Sequence, residues 1–128
     1  MIYGIGTDIV ATARIADILA RYGDAFARRI LAADEWPAYK SSNSPARFLA
    51  KRFAAKEAFA KAAGTGLRHP VSLGNISIGH DALGRPELRF QPALSAWLAG
   101  QGITGQHLSV SDERELAAAF VVLERQEA

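Results

Sequence analysis

The stretch ARFLAKRFAAKEAFAKAA, from Ala46 to Ala63, decides the fold. Alanine, lysine, arginine, glutamate and leucine are good helix formers, and only the phenylalanines interrupt them. Pro45 precedes the run and Gly64-Thr65-Gly66 stops it. The spacing therefore predicts one long helix. Phe48, Ala55 and Phe59 fall on one stripe of it, and Phe53 lies roughly 140° from Phe48, towards Glu57. A helix with bulky apolar groups on two sides has to be covered on both, so other elements must pack around it.

Working outward, Ile2 to Val10 reads as a strand. Alternation puts Ile2, Gly4, Gly6, Asp8 and Val10 on one face and Tyr3, Ile5, Thr7 and Ile9 on the other. Thr12 is the expected N-cap of a helix to about Tyr22, ended by Gly23. Asp24 is the expected cap of a short helix through Ile30, and Asp34 of another through Lys40. Ser41 to Pro45 is a loop. Beyond the long helix, Ile76 to Ile78 and Glu87 to Phe90 read as strands around a turn at Asp81 to Gly84. Pro92 opens a helix to Ala99. His107 to Asp112 and Ala117 to Leu123 form a closing hairpin. One strand, several helices, then strands with one more helix argue an α+β fold: a mainly antiparallel sheet packed with a long helix, in a single domain over residues 1–128.

Composition supports a packed core, with 49% hydrophobic and 22% charged residues in 128. Cysteine is absent, which excludes disulfides, cysteine-based zinc sites and a thiol nucleophile. The start of the chain has no basic region followed by an apolar stretch, and no apolar run approaches the ~20 residues of a membrane span. The expected compartment is the cytoplasm. The net charge of +2 is mild and does not require nucleic acid. Its distribution is uneven: Arg14, Arg21, Arg28 and Arg29 face only two aspartates, and five basic residues from Arg47 to Lys61 face one glutamate.

Three places carry candidate chemistry. Glu57 and Lys61 are four residues apart on the helix, so they share a face. Alone they would be an ordinary surface ion pair, but Phe53 beside them suggests a cleft. Asp8 is a carboxylate inside an apolar strand, where burial is costly without a partner. It could cap the following helix. It could also be an oxygen ligand for a hard cation, because Mg²⁺ takes one or two carboxylates together with water and phosphate oxygens. Asp8 and Glu57 would supply that pair and Lys61 would balance phosphate charge. Gly4 and Gly6, on the Asp8 face, mark close approach of a ligand or another backbone. Finally, His107, Ser109 and Ser111 share one strand face, which suits either phosphate contacts or plain solvent. The sequence has no G-x-S-x-G, no P-loop lysine motif and no H-E-x-x-H. A phosphohydrolase or nuclease could use the same carboxylates. A non-enzymatic RNA-binding module would have no use for Asp8.

Three stretches narrow these alternatives. Met1-Ile2-Tyr3-Gly4-Ile5-Gly6-Thr7-Asp8-Ile9-Val10 opens the chain. Arg52-Phe53-Ala54-Ala55-Lys56-Glu57-Ala58-Phe59-Ala60-Lys61 with Gly64-Thr65-Gly66 stands in the middle, and His107 to Ser111 precedes an alanine-rich final strand. Together they resemble the holo-acyl-carrier-protein synthase family, the short stand-alone 4′-phosphopantetheinyl transferases, over essentially the full length. Asp112 departs from the histidine common at that position, and alternation points it away from His107. The resemblance implies a Mg²⁺-dependent transfer of phosphopantetheine from coenzyme A to a serine of an acyl carrier protein. It implies Asp8 and Glu57 as metal ligands, Lys61 on phosphate, and Glu57 or a metal-bound water beside it as the base. It implies Arg52 and His107 near the 3′-phosphate of the coenzyme, and Gly66 and Pro86 along the nucleotide pocket. It also implies a homotrimer with each site between two subunits. Arg14, Arg21 and Arg28 are then candidates for docking the acidic helix of the carrier protein, with a solvated basic face as the alternative.

Overall fold

A computed structural model describes residues 1–126 of the chain. In chain order the elements are β1 (Ile2–Ala11), α1 (Thr12–Tyr22), α2 (Asp24–Ile30), α3 (Trp36–Lys40), α4 (Pro45–Ala63), β2 (Ile76–His80), β3 (Pro86–Phe90), α5 (Pro92–Gly100), β4 (Ile103–Asp112) and β5 (Leu116–Arg125). The strands form two antiparallel sheets, a three-stranded one ordered β1-β5-β4 and a separate β2-β3 hairpin. The expected α+β class and long helix are both present.

Helix α4 lies across the inner face of the three-stranded sheet, and its chief contacts are with β1 and β5. Small residues on the helix make this possible: Ala50, Ala54, Ala58 and Ala62 are all buried. Opposite them stand Gly4 and Gly6. A Cβ at Gly4 would run into the Ala62 carbonyl, and one at Gly6 into the Ala58 carbonyl and the Ala62 amide. The strand glycines thus accommodate the helix backbone. From β5, Ala117, Ala119, Val121 and Leu123 complete this layer. On the other side of α4, Phe59 meets Phe90 of β3 at a ring distance of 5.1 Å, and Ile76, Ile78 and Leu88 are buried with it. Full burial of Phe59 stabilises the fold by about 1.5–3 kcal/mol. The two-sided cover expected from the phenylalanine spacing is therefore observed.

Several local expectations shift. Thr12 is the first residue of α1 and not its cap; the N-cap is Ala11, without a side-chain bond. The chain leaves β1 directly into the helix, and the Thr12 amide donates to the Glu115 carbonyl across the sheet end (2.9 Å). Asp24 opens α2 behind Gly23 and pairs with Lys40 (3.2 Å). Residues Ala33–Glu35 form a 3₁₀ turn before α3, in which Glu35 accepts from the Ala32 amide (2.8 Å), while Asp34 accepts from Ser77 (3.1 Å). Strand β4 begins at Ile103, ahead of the expected His107, because pairing with β5 continues past an irregularity at Gly105.

Candidate active site

On β1 the inward series runs Gly6, Asp8, Val10. Since the glycines let α4 approach, Asp8 is carried against the last turns of that helix. Lys61 reaches over to β1 and donates to the Asp8 carboxylate (3.1 Å) and to the Thr7 carbonyl (3.0 Å). Lys61 thus pairs with Asp8 and not, as i,i+4 spacing would suggest, with Glu57. Its side chain keeps 54% exposure, so it remains free to meet an anion.

Glu57 and Asp8 both line a cleft of about 450 Å³, together with Arg14, Ile18, Phe26 and Phe53. Burial pushes the Glu57 carboxyl above the usual carboxylate range, and the Asp8 charge raises it further, against the pull of Lys61. Asp8 thus has a paired cation in Lys61, whereas Glu57 forms no ion pair among the described residues. A hard divalent cation fits this donor set: two oxygen-bearing side chains on one open cleft, with the rest of its coordination left to water and phosphate. Among the described residues no group of three or more His, Cys, Asp or Glu could form an all-protein cage.

A second, smaller groove of about 270 Å³ lies between α4, the β2-β3 hairpin and the end of β4, with Lys51, Arg52, His80, Pro86 and Asp112 along it and Phe48 at its wall. Burial and the neighbouring Arg52, Lys51 and Arg89 charges hold the His80 imidazole below its usual pKa. Asp112, on the inner side of β4, is neutralised by Arg47 (2.5 Å). Lys51 and His80 were not singled out from the sequence, and Phe48 was read there only as part of the apolar stripe of the helix. Lys51 could have been, as the neighbour of Arg52 in a basic helix turn; His80 carries no local signal.

Of the remaining candidates, Arg14 and Arg21 are exposed along α1 around a hollow they share with Asp17 and Tyr22, and Arg14 also reaches the carboxylate cleft. Arg28 is stacked on Trp36, with its guanidinium carbon 4.0 Å from the ring centre. Within one chain, His107 and Gly66 do not join Arg52 and Pro86. His107 sits on the outer face of the sheet, against Glu124 of β5. Gly66 is an exposed turn residue with φ of 64° just past α4.

The family model described as the 4′-phosphopantetheinyl transferase superfamily matches residues 4–121. A holo-[acyl-carrier-protein] synthase of Nitrosospira multiformis is 60% identical over 98% of this chain and 100% of its own length. The crystal structure of holo-[acyl-carrier-protein] synthase from Neisseria meningitidis is 57% identical, with a TM-score of 0.95 over 98% of this chain and 100% of that one. A Bacillus anthracis holo-(acyl-carrier-protein) synthase solved in complex with CoA (3′,5′-ADP) is 38% identical, with a TM-score of 0.81 over 98% and 99% of the two chains. Sequence and fold agree from end to end, and this chain belongs to the holo-[acyl-carrier-protein] synthases of the 4′-phosphopantetheinyl transferase superfamily.

Proposed function

We propose that this protein transfers the 4′-phosphopantetheine group of coenzyme A to a serine of apo acyl carrier protein, releasing 3′,5′-ADP, in service of fatty acid synthesis in the cytoplasm. The observation that carries the reading is the meeting of Asp8 and Glu57 at one cleft, with Lys61 bonded to Asp8 beside it, in a chain whose relatives are holo-acyl-carrier-protein synthases.

The chemistry follows from what these side chains can do. The serine Oγ attacks the β-phosphorus; an Oγ–P bond forms as the P–O bond to the α-phosphate breaks, and 3′,5′-ADP departs with the electron pair. Such a transfer depends on in-line positioning and charge neutralisation more than on covalent help. Mg²⁺ held by Asp8 and Glu57 would supply that neutralisation at the pyrophosphate. Glu57, or a water beside it, would take the serine proton. Lys61 offers a mobile ammonium to the phosphate. Arg52, beside Pro86 and Lys51, offers a guanidinium to the terminal 3′-phosphate of the coenzyme.

Arg14 and Arg21 continue the positive surface from the cleft along α1, where an acidic carrier-protein helix would dock; Arg28 adds charge from its perch on Trp36. A homotrimer is supported by the outer sheet face, where Ile5, Ile9, Leu116 and Phe120 are exposed. Packing copies of the chain through that face would cover these side chains and bring His107 to a subunit boundary. The domain is taken to span residues 1–128.

Intact-protein mass spectrometry tests the activity. Apo carrier protein incubated with this chain, coenzyme A and Mg²⁺ should gain the mass of one phosphopantetheine. The rate should fall at least about a hundredfold in Asp8→Ala or Glu57→Ala. No mass gain with the wild-type chain, or near-normal transfer by Asp8→Ala, would overturn the reading.

A further inference from the structure

Beneath the Arg52 groove lies a group of buried charges that the transfer chemistry leaves unused. Glu35 is 3% exposed and Lys56 is fully buried. The Lys56 ammonium donates to Glu35 Oε1 (2.6 Å), to the Ile30 carbonyl (2.7 Å) and to the Leu73 carbonyl (2.9 Å), which satisfies all three of its protons. The other Glu35 oxygen accepts from Arg52 Nη1 (2.6 Å) and from the Ile78 amide (3.1 Å). Arg52 Nη1 also donates to the Ile78 carbonyl (2.5 Å). Burial opposes the Glu35 carboxylate, but Lys56, the Ala32 amide and Arg52 together hold it below the usual range.

Two consequences follow from this geometry. Glu35 is bonded to two cations, and Asp34 also stands near Lys56. Of the two cations, Arg52 is the one that carries its charge to the groove, since Lys56 is fully buried. In addition, the hydrogen bonds of the Arg52 guanidinium run through Nη1 alone. Its face lies over the Phe48 ring at 4.4 Å. A guanidinium anchored by one nitrogen and stacked on a ring can present only its Nε–Nη2 edge, which is the two-pronged edge that matches a phosphate.

We infer that Glu35, held in turn by Lys56, is a positioning residue for coenzyme A: it fixes Arg52 so that the free guanidinium edge faces the groove and binds the terminal phosphate. This rests on the assignment of Arg52 to that phosphate. Arginine carries several rotatable bonds, and ordering them before the coenzyme arrives removes that entropic cost from binding.

The test compares KM for coenzyme A with KM for 3′-dephospho-coenzyme A, which lacks the group in question. Glu35→Met/Lys56→Met removes the anchor together with its enclosed cation and leaves Arg52 on the Ile78 carbonyl at the groove wall; apolar replacement of a buried pair is often tolerated. It should raise KM for coenzyme A about fivefold to tenfold and leave KM for the dephospho form within about twofold. Glu35→Gln keeps the volume and one acceptor. It should move the same ratio in the same direction by less, and it serves if the methionine pair does not fold, with circular dichroism as the check. Arg52→Ala sets the reference, an increase of about tenfold or more in the ratio. If Arg52→Ala raises the ratio but neither Glu35 variant does, the positioning role is overturned. Equal shifts for both substrates in the Glu35 variants would overturn it too, because a purely structural role predicts that. If Arg52→Ala leaves the ratio unchanged, the phosphate assignment of Arg52 itself fails.

Discussion

At the scale of single residues, Lys61 and Glu35 show the same ion-pair chemistry at two depths. Lys61 is half exposed, and its partner Asp8 is 17% exposed, so the pair is loose enough to be exchanged for a substrate phosphate. Lys61→Ala should therefore weaken coenzyme A binding and slow transfer. Lys61→Arg should recover part of the binding, because the charge returns but the compact ammonium does not. Equal coenzyme A affinity of wild type and Lys61→Ala by calorimetry would count against the role. Glu35 is the buried counterpart. Its carboxyl is held below the usual carboxylate range, so it contributes stability that is fully present above the unfolded-state pKa. The contribution is lost as the pH falls through the lower, folded-state pKa. Thermal melts at decreasing pH should show a steep acid limb in the wild-type chain, and a shallower limb in Glu35→Met/Lys56→Met. Identical limbs would remove Glu35 as a source of acid sensitivity.

At the scale of elements, the contact between β1 and α4 builds the carboxylate cleft. Gly6 meets the backbone of Ala58 and Ala62 directly, so an added methyl cannot be absorbed by a side-chain rotation. Gly6→Ala should destabilise the fold by about 1–3 kcal/mol in urea titration, by forcing helix and strand apart. It should also lower activity in the fraction that remains folded, since Asp8 and Lys61 would separate. An unchanged midpoint would show that the approach is softer than the geometry requires. Helix α1 belongs to this scale as well. Arg14 lines both the cleft and the outer hollow of α1, so it links the site to the basic surface. Arg14→Glu should raise KM for carrier protein while leaving coenzyme A binding largely intact. The difference from wild type should shrink as salt is added, because screening removes the wild-type attraction first. An unchanged carrier-protein KM at low salt would mark the face as merely solvated.

At the scale of the whole molecule, the three-stranded sheet has one face covered by α4 and one face bare. The bare face carries Ile9 at 66%, Ile5 at 58% and Phe120 at 44% exposure, an arrangement that favours burial between copies of the chain. Light scattering should show a trimer for the wild-type chain. Ile9→Lys and Phe120→Lys should dissociate it with little change in circular dichroism, since both side chains already point to solvent in a single chain. If the sites are shared between subunits, transfer activity should fall with the trimer. A stable wild-type monomer with full activity would refute shared sites.

The sequence by itself determined the elements and the identity of the central chemistry. Alternation from Gly4 to Val10 and the phenylalanine spacing of α4 are local periodicities, so both were legible before any contact was known; Ile2 departs from its expected inner face at an irregularity between Ile2 and Gly4 and is exposed, while Tyr3 packs against the core. A close approach at Gly4 and Gly6 was legible too, although only the fold shows that a backbone comes there, that of Ala58 and Ala62. Tertiary structure decided the partners. Lys61 bonds Asp8, 53 residues away, in preference to its helical neighbour Glu57. Lys56 reads in sequence as one of the five basic residues of the long helix, yet it is fully buried on Glu35, and that carboxylate in turn holds Arg52. His80 reaches the groove only because the β2-β3 hairpin packs beside α4. Local spacing reports which way a side chain leaves its own element. Which charge it meets depends on the packing of elements distant in the chain, and no periodicity encodes that.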